Sequence, residues 1–291
     1  MTGRTRHILF AGLTFASLTY ATLHATSQPA PKSQPAEVKV PSLLEVNAPA
    51  FCVGCDEPFD MPTHKKVLEG LVNNPYLAEL RRALYVQDLW HQFESRAHFD
   101  NCDFDNALDY VDSLIEEAGT YVAAIEKAKA SGDGTGTQTA AKKAFFALGQ
   151  ALHAVQDFYA HSNYVELQAP KVLVETKLEI VRPWRKEGRD RIAELRKDGL
   201  ISGVVWWGLP QKCLPGTMSH EDLAKDSEKT KSGGERVAHL QNRSRYQIAR
   251  SLAREASQQL MADAFKRWPL LKEVNGENLA FELIIDQRPK K

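Results

Sequence analysis

The stretch from Phe145 to Glu166, Phe-Phe-Ala-Leu-Gly-Gln-Ala-Leu-His-Ala-Val-Gln-Asp-Phe-Tyr-Ala-His-Ser-Asn-Tyr-Val-Glu, constrains the fold more than any other part of the chain. It has no proline and no β-branched run, and its apolar residues recur at helical spacing, so it predicts a helix. His153, Asp157 and His161 recur every four residues. At about 100° per residue each such step drifts only about 40°, so the three side chains share one stripe. Phe145, Phe146, Leu148, Leu152, Val155, Phe158 and Tyr159 make the rest of the helix apolar, which argues against a merely solvated polar face. An imidazole, a carboxylate and a second imidazole, one turn apart, begin a metal site. The carboxylate has two oxygens and can bridge two ions about 3.5–4 Å apart. Gly149 continues the stripe and admits a close approach by another backbone or a ligand.

The N-terminal segment reads differently. Arg4 and Arg6 precede an apolar run from Ile8 to Leu23, with small residues near Ala21 and Ala25. This is the pattern of a secretory signal over residues 1–25, and it places the mature protein in an export compartment, periplasmic or secreted. Residues 26–59 form a lead-in that begins rich in Pro, Ala and Ser, reads as a flexible tether to about Pro41, and then carries the first cysteines. Residues 60–270 suit one helical domain and 271–291 a C-terminal tail. The formal charge of the whole chain is zero. Bulk charge therefore does not suggest a long polyanion as partner.

In chain order, Thr63-His64 opens a short helical run through Val67, Leu68 and Leu71, broken at Asn73-Asn-Pro75. A longer helix follows, with Tyr76, Leu77, Leu80, Leu84, Leu89 and Phe93 on its apolar side; Asp88 within it is either solvated beside Arg81 or Arg82 or turned inward. The segment from His98 to Phe104 is a polar hinge, in which His98 reads equally as ligand or bystander and Asp103 or Asp105 suits a helix cap. Asp105 to about Ala130 is amphipathic, and the Gly-rich loop Ser131–Thr137 lacks the strand and the Lys-Ser/Thr ending of a phosphate cradle. Residues 171–198 read as a charged outer helix interrupted near Pro183. Trp206 and Trp207, in the apolar stretch Leu200–Pro210, are a core plug or, if exposed, a pair suited to a lipid interface. His220 is a further candidate ligand in a loop. A last helix from about Glu235 to Trp268 lines up Ala249, Leu252, Ala253, Ala256, Leu260 and Ala264. The only strand signal is a weak one at Phe281–Ile285, and the fold class is all-α, a multi-helix bundle.

The motif Leu148-Gly-x-x-Leu-His153-x-x-x-Asp157-Phe-Tyr-x-His161-Ser-Asn-x-x-Glu166 resembles the signature of heterokaryon-incompatibility C (Het-C) domains. These are similar in turn to the zinc-dependent phospholipase C and single-strand nuclease superfamily. Thr63-His64, Asp88, His98-Phe-Asp100, Ile201-Ser-Gly203, Cys213 and Lys225-Asp226 resemble the flanking blocks, in the same order. The resemblance implies a compact helical bundle with up to three zinc ions in a cleft. Asp88, His98, His153 and Asp157 would hold one ion and His64 with Asp157 a second. His161 and His220 would hold a third, with its carboxylate open among Glu166, Asp222 and Asp226. Asp88 and Asp157 are the expected catalytic carboxylates. Cys102 and Cys213 are expected to pair and join two ligand-bearing loops, while Cys52 and Cys55 form a local disulfide or stay as thiols.

The implied function is an exported phosphodiester hydrolase of the zinc phospholipase C type, using a metal-activated water on a phospholipid or membrane surface. Nucleic acid, as for a single-strand nuclease, is the less favoured substrate, since the chain has no basic excess, carries the apolar stretch Val204 to Leu209 and resembles lipid hydrolases. A nuclease would want stacking aromatics and some basic surface. The non-enzymatic alternative is a membrane-interacting, cell-death or recognition module that keeps the scaffold without catalysis.

Overall fold

The structure is a computed structural model that describes residues 61–68, 76–173 and 177–274, all within the unit Asn47–Lys291. The signal and tether segments, Cys52 and Cys55, Leu71, Asn73–Pro75 and Phe281–Ile285 lie outside the described residues. The order of helices is α1 (Met61–Leu68), α2 (Tyr76–Trp90), α3 (Ser95–His98), α4 (Phe104–Ala130), α5 (Gly134–His161), α6 (Tyr164–Gln168), α7 (Lys186–Lys197), α8 (His220–Leu223), α9 (Arg245–Arg267) and α10 (Leu270–Val274). The fold is all-α. Among the described residues a two-stranded antiparallel hairpin, β1 (Arg236–Val237) with β2 (Arg243–Ser244), pairs Arg236 with Ser244 and Val237 with Arg243.

Helix α5 is the axis. Every residue from Ala147 to His161 is buried, so this half of the helix is enclosed on all sides rather than on one stripe. Helices α2, α4 and α9 enclose it. Gly149 explains the closeness of α2: a Cβ there would lie 2.6 Å from the Ala83 Cβ and 3.0 Å from the Leu80 backbone. The contact brings the C-terminal end of α2, with Asp88, toward His153. From α9 the small residues Ala249, Ala253 and Ala256 reach the core along with Leu252 and Leu260. That helix starts later than its periodicity suggests, because the β1–β2 hairpin occupies the residues before Ser244. Ser244 then caps it in a full capping box with Gln247, a device worth about 1 kcal/mol.

Other boundaries shift for equally local reasons. Asp133 accepts from the Gly136 backbone N–H and starts α5 at Gly134, inside the glycine-rich loop. Among its described residues the charged segment 171–198 is α-helical over α7. There Ile192 and Leu195 are buried, while Arg189 bonds Asp109 and Asp112 and Arg196 bonds Asp105, fastening α7 to α4. Asp103 precedes α4 but makes no side-chain cap; its carboxylate pairs with Lys212 at 2.7 Å. Leu271, placed by sequence in the tail, is buried in α10.

A turn and a disulfide build the loop side of the molecule. Phe99, Asn101 and Cys102 all have left-handed backbone angles, with φ of 54°, 56° and 56°. Three such non-glycine residues cost roughly 1 kcal/mol or more each and persist only where surroundings hold them. Buried Asn101 does so: its amide donates to Ser95 Oγ and to the carbonyls of Val205 and Gly208, and accepts from Val205 N–H. Cys102 is bonded to Cys213 across 111 residues. Gly203 lets the His220 backbone come within reach of Val204, since a Cβ there would stand 2.3 Å from the His220 Cα; His220 N–H then donates to the Val204 carbonyl at 3.1 Å.

Candidate metal centre

The three stripe residues of α5 point into the protein, and side chains from other elements meet them there. His153 Nε2 lies 2.9 Å from Asp157 Oδ2, 3.2 Å from His98 Nδ1 and 3.3 Å from Asp88 Oδ1. His98 Nδ1 is itself 2.9 Å from Asp157 Oδ2. These separations approach the spacing of about 3.3 Å between ligand atoms around a tetrahedral ion with bonds of about 2.0 Å. His64, from α1, stacks on His153 with ring centroids 4.4 Å apart and sets Nε2 3.5 Å from Asp157 Oδ1. Two overlapping sets, His98–His153–Asp157 and His64–Asp88–His153, each bring their ligand atoms within 4.8 Å of one another.

The electrostatics are those of a site for a cation. Asp157 Oδ1 is buried and accepts no hydrogen bond, a costly state for a carboxylate oxygen that a positive ion would relieve. Burial pushes the Asp157 carboxyl up, but the charges of His153 and His161 and hydrogen bonds from His153 and His98 outweigh it and hold it well below the usual carboxylate range. Burial and the neighbouring His153 lower the His64 imidazole, against the pull of Asp157 and Asp88. A neutral ring is the form that coordinates. Its Nδ1–H donates to Gln156 Oε1 at 2.6 Å, which turns Nε2 toward the carboxylates. Gln156 is fixed in turn by donating Nε2–H to Ser257 Oγ at 3.1 Å.

A second group stands at the C-terminal end of α5. Asp100 Oδ1 lies 3.1 Å from His220 Nδ1 and 3.8 Å from His161 Nδ1, and these three also meet within 4.8 Å. On its far side the His161 ring donates Nε2–H to Asp226 Oδ1 at 3.2 Å. That contact leaves Nδ1, buried and without a hydrogen-bond partner, facing Asp100 and His220. Burial pulls the His161 imidazole down, but Asp157, Asp226 and Asp100 together lift it to about 10. The surrounding carboxylates thus favour positive charge here, carried by a proton or by a metal.

Of the residues singled out by sequence, His64, Asp88, His98, His153 and Asp157 come together in one group, and His161 and His220 in another. Glu166 is not with them. Its carboxylate is 3.2 Å from the Lys225 ammonium and accepts from Ser232 Oγ at 2.6 Å. The carboxylate facing both His161 and His220 is Asp100. Asp222 instead bonds Ser219 and Lys231 at the surface, and Asp226 touches His161 through the opposite ring nitrogen. Gln156 and Asp100 belong to these groups without being ranked by sequence; for Asp100 the signal is its place two residues after His98 in a turn. Buried Asp and His groups of this kind could hold a metal ion.

Residues 86–181 match the family described as the VWA7 N-terminal domain. No curated protein and no solved structure matches the chain. The match corrects the resemblance to Het-C domains and the phospholipase C superfamily: the family found over the central motif is a different one. His153-x-x-x-Asp157-x-x-x-His161 is a spacing that suits ligand chemistry in general, and such a pattern alone does not identify a lineage.

Proposed function

We propose that this protein is an exported, metal-dependent phosphodiester hydrolase, with zinc as its metal. The observation that carries the reading is the meeting of His98 Nδ1, His153 Nε2 and Asp157 Oδ2 at 2.9–3.2 Å, with Asp88 at the edge. An all-imidazole and carboxylate donor set without cysteine suits zinc among the common divalent ions. Such an ion supplies Lewis acidity toward a phosphoryl oxygen and lowers the pKa of bound water toward neutrality. Five imidazoles, His64, His98, His153, His161 and His220, are gathered with Asp88, Asp100 and Asp157 in the two groups. The second group beside the first supports a reading in which a phosphate diester is clamped between two charged centres.

The chain's own contribution is positional. His153 and Asp157 are fixed on a buried helix, so their geometry resists disturbance by substrate. Asp88 has a side chain 36% exposed, the most accessible of its group, and its carboxylate would accept a proton from attacking water. The Cys102–Cys213 disulfide supports the export reading, since such bonds persist in oxidising compartments.

Elemental analysis of protein prepared without chelator is expected to find zinc bound stoichiometrically. Hydrolysis of a chromogenic phosphate diester should stop on dialysis against chelator and return with zinc. A chain that holds zinc yet leaves every diester intact would instead be a metal-stabilised module without catalysis.

A further inference from the structure

The large apolar side chains that stand exposed are not scattered. Among the described residues, all but Leu173 fall on two segments: Leu89, Trp90 and Phe93 on one, Trp206, Leu209, Leu214 and Met218 on the other. Trp206 is 81% exposed, Trp90 74%, Leu209 67% and Phe93 58%. The two segments are joined by their backbones, with Leu209 N–H donating to the Phe93 carbonyl at 2.9 Å and Ser95 N–H to the Leu209 carbonyl at 3.0 Å. Exposed rings on a turn whose backbone groups are already paired have no fold-stabilising task. Patches of this kind mark surfaces that meet something.

Both segments lead straight into the candidate metal centre. Asp88 immediately precedes Leu89. The chain after Met218 reaches His220, whose N–H is bonded to Val204, two residues before Trp206. The apolar residues are thus close in the chain to Asp88 and His220, the members of the two groups with the most exposed side chains.

We propose that this rim seats the protein on the surface of a zwitterionic phospholipid bilayer, with Trp206, Leu209 and Phe93 in the interfacial layer. The inference deepens the hydrolase reading and rests on it for the substrate: lipid phosphodiesters. Charge selects this occupant. The rim's ionisable groups are each matched: His91 with Glu94 at 2.7 Å, Glu94 with Arg96, and Lys212 with Asp103. No uncompensated basic cluster is present on these segments to recruit anionic lipid or nucleic acid, and tryptophan favours the interfacial region where headgroups lie.

The test is co-sedimentation of the full chain with phosphatidylcholine vesicles, together with quenching of tryptophan fluorescence by brominated phosphatidylcholine. The unaltered protein is expected to bind and be quenched at physiological salt. The double variant Trp206→Ser/Leu209→Ser should lose at least roughly tenfold in binding while its helical circular dichroism, zinc content and hydrolysis of a soluble diester stay unchanged. Phe93→Ser is a second, independent variant with the same expected loss. Absence of binding to phosphatidylcholine, binding only to anionic vesicles with salt reversal, or equal binding by the variants would overturn the proposal; so would a concentration-dependent dimer abolished by the same substitutions. Vesicle binding without hydrolysis of any diester would leave the rim standing and remove the enzyme. Hydrolysis of soluble diesters without vesicle binding would do the reverse.

Discussion

The two groups of ligand-type residues are built by opposite means. The group around Asp157 draws on α5, α2, α1 and the end of α3, so its members are placed mainly by helix packing. The group around Asp100 has only His161 on a long helix; Asp100 sits in a left-handed turn and His220 begins the four-residue α8. What rigidity the second group has comes from single ties. Lys225 is fully buried, donating to the carbonyls of Ser162 and Leu223 and pairing with Glu166. Its own N–H donates to the Ala160 carbonyl. Helix packing spreads the cost of positioning a ligand over many contacts, while loop construction concentrates it in a few residues that can be removed one at a time.

The largest effect is therefore expected from the ammonium that holds the loops. Lys225→Met leaves the Glu166 carboxylate without its closest cation and removes the ammonium donor from the Ser162 and Leu223 carbonyls. Breaking a buried pair in this way typically costs about 3–5 kcal/mol. Chemical denaturation should show that loss, and metal analysis should find the Asp100 group depleted while the Asp157 group keeps its ion. Equal depletion of both groups would erase the contrast drawn above.

Next in size is Asp157→Asn, which preserves shape and removes the buried negative charge. Metal at the helix-borne group and hydrolysis should both fall, activity by roughly 100- to 1000-fold, the scale of losing one charge-stabilising group in a site. Far-ultraviolet circular dichroism should change little, because the helix is held by its apolar contacts. Full activity in this variant would show that the reacting centre lies elsewhere.

A sharper version compares the two orienting partners. Gln156 aims His64 and Asp226 aims His161, each through the ring nitrogen turned away from its group. Outer partners of this type usually change metal affinity by about 10- to 100-fold. Gln156→Ala should weaken zinc at the first group and Asp226→Asn at the second, read by titration with a competing chelator. If either substitution weakens both groups alike, they act as one unit rather than two.

The same division explains how much was legible in the sequence. His153, Asp157 and His161 recur at four-residue spacing, so one helix declares them, and the all-α class follows from periodicity across the chain. Asp100 could not be ranked by spacing. Its place depends on Asn101 bonding to Val205 and Gly208, about a hundred residues away, and on backbone angles that few non-glycine residues adopt. Glu166 is the converse case, a residue pointed to by the resemblance and not by spacing: it stands five residues past His161, off the four-residue repeat, and α5 ends at His161 before α6 begins after Asn163, with that carboxylate turned to Lys225. Trp206 reads in the sequence as core or surface, because apolar composition alone does not decide exposure; in the fold it is 81% exposed.

The smallest expected effect concerns pH and isolates the loop scaffold from the metals. Burial pushes the Glu166 carboxyl up, but the Lys225 charge, the Ser232 hydroxyl and the Arg245 charge prevail and hold it below its ordinary value of 4.5. A carboxyl with a depressed folded-state pKa adds stability that is complete above the unfolded pKa. That contribution is lost as pH falls from about 4.5 through the folded value. Glu166→Gln should accordingly lower stability by roughly 1 kcal/mol at pH 7, the scale of one net hydrogen bond. The gap between variant and parent should close as denaturation is repeated at successively lower pH below 4.5. Because every other carboxyl is common to both proteins, the difference curve reports Glu166 alone. A gap that stays constant down to the acid limit would mean that the carboxylate charge does not help Lys225 hold the loops, and that the hydrogen bonds of Lys225 to backbone carbonyls suffice.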